Sequence, residues 1–388
     1  MAPGAKAKDR RGQSRGTLSV DSVSPPNDHN ARSVTADLHQ LLLNIFGNAF
    51  PSRFPLDPSL IQRIKQHLYN RDFEKAFGSE EYLEVYAVRW SSCRALGYAN
   101  IFVDISEHLH CDSRRADGSS VAEAGAGNSS SDLNAREEMS QSPACTNGTL
   151  NVVCLGGGAG AEIVGLAGFL HHLRASATPG LYPAKLKVTA VDIANWSTVV
   201  HALGVNVTTA PPLSKYASEK AKAANTPLVW GDDYSVTFYQ CDILGTDTDR
   251  LGSLVQESNL VTLMFTLNEL YASSVPRTTK FLLSLGSLLR SGTLLLVVDS
   301  PGSYSTIELS GSGSSKDGTA TTGKRYPMHW LLDHTLVGTP GDDTLDCQRP
   351  RWRKLLSDNS RWFRLPDGLL YPIELENMRY QIHLYELA

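Results

Sequence analysis

The chain contains no Cys-x-x-Cys pair. Its six cysteines (Cys93, Cys111, Cys145, Cys154, Cys241 and Cys347) are scattered over 388 residues, which argues against a zinc site or a disulfide framework and for a reducing compartment. Long apolar runs are also missing. "TLLLVV" at 293–298 is among the longest, far short of the roughly 18 residues that span a bilayer. The N-terminus is polar and basic and lacks the apolar centre of a secretory signal. Bulky apolar residues nearly vanish from 112–148 and from the Gly/Ser tract near 310–323. Neither stretch buries enough surface to offset the entropy of ordering, so both are expected to be disordered. No internal repeat is visible.

What remains is ordinary for a soluble globular protein, with 41% hydrophobic and 20% charged residues. A net charge of −4 does not announce a nucleic-acid binder. The first fifteen residues differ, since "MAPGAKAKDRRGQSR" sets Lys6, Lys8, Arg10, Arg11 and Arg15 against Asp9. Such a tail suits RNA contact or nuclear import, and equally a solvated terminus. The expected organisation is a disordered basic tail (1–35), a helical module (36–110), a disordered insertion (111–149) and an α/β domain (150–388) interrupted by a low-complexity loop at about 305–324.

Within the helical module, "LDPSLIQRIKQHLYN" has Asp57 as a cap, Pro58 at the first helical position, and an apolar stripe of Leu60, Ile61, Ile64 and Leu68. "SEEYLEVYAVRWSSCRALGYANIF" has Ser79 as a cap, with Tyr82, Tyr86, Trp90, Cys93 and Gly97 at helical spacing. From 150 onward, apolar strands at 151–157, 185–192, 236–242, 260–267 and 292–299 alternate with helical segments, the pattern of a doubly wound parallel sheet. A further strand is expected near 368–375. The final "MRYQIHLYEL" alternates Tyr380, Ile382 and Leu384 with Arg379, Gln381 and His383, as a half-buried strand would.

Candidate chemistry follows the carboxyl ends of these strands, where open α/β sheets bind ligands. "NVVCLGGGAGAEI" drops an apolar strand into Gly156, Gly157, Gly158 and Gly160, letting the main chain approach a cofactor at a helix start. The spacing fits both the Gly-x-Gly-x-Gly loop of S-adenosylmethionine-dependent methyltransferases and the dinucleotide fingerprint read through Gly156, Gly158 and Ala161. Asp192, followed by Ile193, is placed to accept both ribose hydroxyls, or to cap the next helix. Asp242 can accept from an adenine amino group while Ile243 walls the ring, or it can shape a turn. Asn268 and Glu269, in "FTLNELY", fall where a transferable methyl would lie. That strand lacks the Asn/Asp-Pro-Pro-Tyr/Phe signature of exocyclic-amine methylation and a cysteine to attack a pyrimidine ring, which favours a ring nitrogen or an oxygen as acceptor. "DCQRPRWRKLLSDNSRWFRL" (346–365) interleaves arginines with Trp352, Trp362 and Phe363, as a phosphate- and base-binding segment or as a helix with buried tryptophans. Arg89, Trp90 and Arg94 carry the same ambiguity.

Together, "NVVCLGGGAGAEIVGLA", "YLEVYAVRWSSCRALGYANIF", "FTLNELY" and "WFRLPDGLLYPIELENMRYQIHLYEL" resemble the fungal 25S ribosomal RNA uridine-N3 methyltransferases over roughly 36–110 and 150–388. The resemblance implies a Rossmann-like class I methyltransferase sheet with an N-terminal helical module. It also implies S-adenosyl-L-methionine as methyl donor, large-subunit rRNA or a preribosome as partner, and work in the nucleus or nucleolus, with the cytoplasm left open. The scattered cysteines and short apolar runs point to no metal and no membrane. In the wider methyltransferase pattern an acid two residues before Gly156 anchors the donor's amino group. Here Cys154 stands there, so another acceptor, Glu162 or a backbone carbonyl, must serve. The competing readings are a nicotinamide-dependent oxidoreductase, a methyltransferase of a protein or small molecule, and an assembly factor that has lost donor affinity.

Overall fold

Apolar runs buried on both faces pair laterally, and the second half of the chain builds its sheet this way. The computed structural model describes residues 34–109, 148–176, 182–302, 304–307, 324–338 and 352–388. The basic tail through residue 33, residues 110–147 and residues 308–323, where disorder is expected, lie outside the described residues.

Strands β1 (Thr149–Leu155), β2 (Lys185–Asp192), β3 (Tyr234–Gln240), β4 (Leu260–Met264) and β5 (Leu294–Asp299) run parallel to one another. A short antiparallel pair, β6 (Tyr304–Ile307) and β7 (Lys324–Pro327), brackets the expected low-complexity loop. Two long strands, β8 (Trp352–Phe363) and β9 (Met378–Leu387), complete a seven-stranded sheet of order β3-β2-β1-β4-β5-β9-β8. β9 runs antiparallel to β5, and β8 antiparallel to β9. A dinucleotide-binding sheet would continue parallel past its fifth strand. The antiparallel insertion of β9 instead gives the Rossmann-like methyltransferase plan.

Several local expectations are corrected. Residues 364–377 contain no strand. The partner of β9 is β8, so the described part of the basic-aromatic segment is a strand and not a helix. Trp352 is buried at its start, whereas Trp362 is half exposed beneath the guanidinium of Arg364. β9 is not half-buried, because β5 and β8 flank it and both its faces are covered. Its Tyr380, Ile382 and Leu384 enter the core on one face, while Tyr385 on the other donates to Asp333 at 2.6 Å.

The helical module comprises α1 (Ala36–Ala49), α2 (Pro58–Tyr69), α3 (Phe73–Ala76), α4 (Glu80–Tyr86) and α5 (Ser92–Asp104). Asp57 and Ser79 cap α2 and α4 by accepting backbone N–H groups. The helical spacing of Tyr82, Tyr86, Trp90, Cys93 and Gly97 is interrupted by a π-helical turn at Ala87–Ser91, a distortion frequent at functional sites. The crossover helices are α6 (Ala161–Ser176), α7 (Ser197–Thr208), the short α8 (Glu219–Ala223), α9 (Thr248–Val255), α10 (Leu267–Ser273) and α11 (Val275–Leu288). α12 (Met328–Leu336), in a region that shows no periodicity by sequence, covers the outer part of β9.

Alternation along the strands divides the core in two. Val152, Cys154, Val188, Leu296 and Ile382 pack with α1, α5, α6 and α7, whereas Val153, Leu155, Val261, Val297 and Tyr385 pack with α9 to α12. The helical module therefore contributes α1 and α5 to one of the two helix layers, beside α6 and α7. α5 lies against α6 where Gly165 faces Ala95, Tyr98 and Ala99 and Gly168 faces Ala99. Small residues permit that close approach. No helix among the described residues is long and apolar enough to cross a membrane.

Candidate methyl-donor site

The glycine loop turns on two left-handed residues, Gly156 (φ +78°) and Gly160 (φ +84°), a backbone region that strains any side chain. A Cβ on Gly156 would collide with Thr266, and one on Gly158 with the Trp196 indole. These glycines therefore let three loops close on one another at the carboxyl ends of β1, β2 and β4. Gly157 sits tightly over Cys154. The Gly158 N–H is fixed by Asp192 Oδ2 at 3.1 Å, and the Ala194 N–H donates to Asp192 Oδ1 at 3.1 Å. Each oxygen keeps acceptor capacity for a further donor. Burial raises the Asp192 carboxyl to about 6, although these N–H groups pull it down. Beside it Ile193 is 62% exposed, a large apolar side chain left in solvent at the mouth of the site.

Asp242 is more occupied than the sequence shows. Its Oδ1 accepts the Leu244 N–H at 3.0 Å and its Oδ2 lies 3.9 Å from Arg277 Nη2, so it shapes a turn beside the site. Ile243 is buried beneath it.

Asn268 and Glu269 occupy the first turn of α10. The turn before α10 is unusual, since Phe265 holds φ +58° and donates its N–H to Val298 O at 2.7 Å. Strain of this kind in a bulky residue persists only where surroundings enforce it, and it clusters at functional sites. Asp299, at the end of β5, accepts the Asn268 N–H at 2.9 Å and the Ser300 N–H at 2.7 Å, and burial raises its carboxyl to about 6. Glu269 Oε2 is buried, has no hydrogen-bond partner and lies 3.6 Å from Arg71 Nε.

Three groups here were given no firm role by sequence. Asp299 is one, and an acid ending the fifth strand was its only signal. Glu162, in the first turn of α6, is 3% exposed and its Oε1 has no partner. Burial lifts its carboxyl to about 8, with Asp192 pushing the same way and Arg94 opposing. Glu162 also acts electrostatically on Cys154, whose buried thiol is pushed up. Glu162 thus sets an acid beside Cys154 in space. Arg94 reaches the site from α5, its guanidinium 4.7 Å from the Phe265 ring centre and donating to the Tyr86 hydroxyl at 2.9 Å.

The residues present fit S-adenosylmethionine. A buried carboxylate with one unpartnered oxygen, Glu162, suits an ammonium group. Asp192 suits ribose hydroxyls and Ile193 an adenine face, while the loop main chain admits the link between them. Among the described residues, no cluster of three metal-ligating side chains forms.

A Rossmann-like sheet with this glycine loop and acid defines a protein of the class that binds a nucleoside-containing cofactor. Residues 46–386 match the family model described as "Putative SAM-dependent methyltransferase". The chain is 30% identical over 336 residues to the 25S rRNA (uridine(2843)-N(3))-methyltransferase of Saccharomyces cerevisiae, covering 84% of this chain and 76% of that protein. It belongs to this family of S-adenosylmethionine-dependent methyltransferases. Among solved structures, a SAM-dependent methyltransferase from Methanosarcina mazei matches at 8% identity and TM-score 0.32, over 61% of this chain and 91% of that one. An S-adenosylmethionine-dependent methyltransferase from Clostridium acetobutylicum matches at 10% identity and TM-score 0.26, over 61% and 83%.

Proposed function

We propose that this protein methylates N3 of a uridine in large-subunit rRNA, acting in the nucleus or nucleolus on rRNA or a preribosome. The observation that carries this reading is the likeness to the yeast enzyme, which runs through both the helical module and the sheet. On this reading residues 36–110 and 150–388 work as one catalytic body, with the basic tail available for RNA or import.

When bound, S-adenosylmethionine supplies an electrophilic methyl group on a positively charged sulfur. Gly156, Gly157, Gly158 and Gly160 present main chain to it, Asp192 and Ile193 hold the ribose and one adenine face, and Asp242 with Ile243 borders the other. Glu162 takes the ammonium. Asn268 and Glu269 face the acceptor, and Glu269, whose Oε2 has no hydrogen-bond partner and lies 3.6 Å from Arg71 Nε, would accept the N3 proton. Because N3 lies on the pairing edge, the uridine must be unpaired to reach them. Positioning of acceptor and donor can supply up to about 7–11 kcal/mol of such a barrier.

Nucleoside mass spectrometry of large-subunit rRNA, from cells with and without the gene, tests the assignment. Loss of N3-methyluridine that wild type restores and Asp192→Ala does not is the expected result. Unchanged N3-methyluridine would leave a donor-binding methyltransferase with another acceptor.

A further inference from the structure

The front helices bring a cation, Arg94, close to Glu162. α5 and α6 run side by side in the same direction, since Gly165 faces Ala95 and Tyr98, Gly168 faces Ala99, and the Phe169 ring meets Phe102. Moving back one turn along both helices brings Glu162 level with Arg94. The two are oppositely charged, come from different parts of the chain, and feel each other electrostatically. Yet neither forms an ion pair among the described residues. Arg94 is held in place by a neutral hydroxyl, that of Tyr86, and by the face of Phe265. Tyr86 and Phe77 in turn pack against Trp196, the ring that meets Gly158. A guanidinium set in aromatic walls without a carboxylate partner is placed to receive an anion from outside the chain. The nearby carboxylates, Glu162 and Asp299, would repel an anion that lacked a compensating positive group.

We propose that Arg94 binds the carboxylate of the donor's amino-acid end while Glu162 binds its ammonium, so that the helical module completes the donor site. This rests on the reading of the site as a methyl-donor pocket. A zwitterion matches the pair with one charge for each partner, which a phosphate of the RNA would not.

The test is titration calorimetry on the full chain with S-adenosylmethionine and with its decarboxylated analogue, which keeps the adenosyl, sulfonium and amine groups. Wild type should bind S-adenosylmethionine at least ~tenfold more tightly than the analogue. Arg94→Met should reduce S-adenosylmethionine to the level of the analogue and leave the analogue unchanged, and Arg94→Lys should recover part of the loss. Unchanged binding of the analogue also shows that the variant is folded. Equal loss of both ligands would assign Arg94 to packing and overturn the proposal. Retained donor affinity with lost RNA binding would overturn it in favour of the acceptor side. Wild type that binds neither ligand would overturn the donor reading itself, and this inference with it.

Discussion

Arg89, buried in the π-helical turn, is ion-paired with Glu376, an exposed carboxylate in the loop before β9. The contact joins the segments "AVRWSSCRALGY" and "LENMRYQ", about 280 residues apart in sequence, and Tyr371 adds a hydrogen bond to Val88 O at 3.1 Å. Glu376→Ala would leave a buried guanidinium without its anion, at a cost of about 1–3 kcal/mol. Chemical denaturation should show that loss, and Glu376→Gln should show a smaller one.

Two glycine substitutions should act in opposite directions. Gly158→Ala would drive a methyl group into Trp196 and crowd Asp192. We expect a loss of about 1–3 kcal/mol, with donor affinity falling because Asp192 moves. Gly47, in α1, has nothing near the position of a Cβ. Gly47→Ala should therefore raise stability by about 0.5–1 kcal/mol through helix propensity alone. Thermal melts of the two variants beside wild type check both expectations.

Asp192→Asn keeps the side-chain shape and an acceptor oxygen but replaces the other oxygen by a donor that faces an N–H. Donor affinity should drop at least ~tenfold while the protein still melts cooperatively. A calorimetric titration showing wild-type affinity would remove Asp192 from the donor site.

The donor-free protein should lose stability as pH rises from 6.5 to 8. Glu162 is raised by burial to about 8, so its folded form holds a proton that the unfolded chain has released. That contribution is complete below the unfolded carboxylate pKa and disappears as pH climbs through 8, amounting over this window to about 2 kcal/mol at most. Below 6.5 the opposing trend of His39 and His383, both lowered to about 4 by burial, offsets Asp192 and Asp299, both raised to about 6. Glu162→Gln should flatten the decline between pH 6.5 and 8. Donor affinity should follow the reverse course, rising with pH toward 8 with proton release detectable in buffers of different ionisation enthalpy.

Glu269→Gln should slow single-turnover methylation by ~10²–10⁴-fold if the carboxylate removes the N3 proton. A rate within a fewfold of wild type at saturating donor would reduce Glu269 to positioning.

The sequence by itself determined the parallel strands, the glycine turn and Asp192. Runs such as "TLLLVV" are apolar on both faces and can only be interior strands, and a turn of such density of glycine admits few side-chain alternatives. It also marked the blocks around Arg89 and Glu376 without showing that they touch. The tertiary structure decided the rest. β8 is a strand because β9 pairs with it, and its own charged, aromatic pattern does not distinguish strand from helix. β9 is buried on both faces because of that neighbour and α12. Glu162, Arg94, Phe265 and Asp299 meet because α5 packs alongside α6 and the carboxyl ends of β4 and β5 lie together. Local propensity acts over a few residues, whereas a binding site is made of side chains brought together by packing from distant parts of the chain.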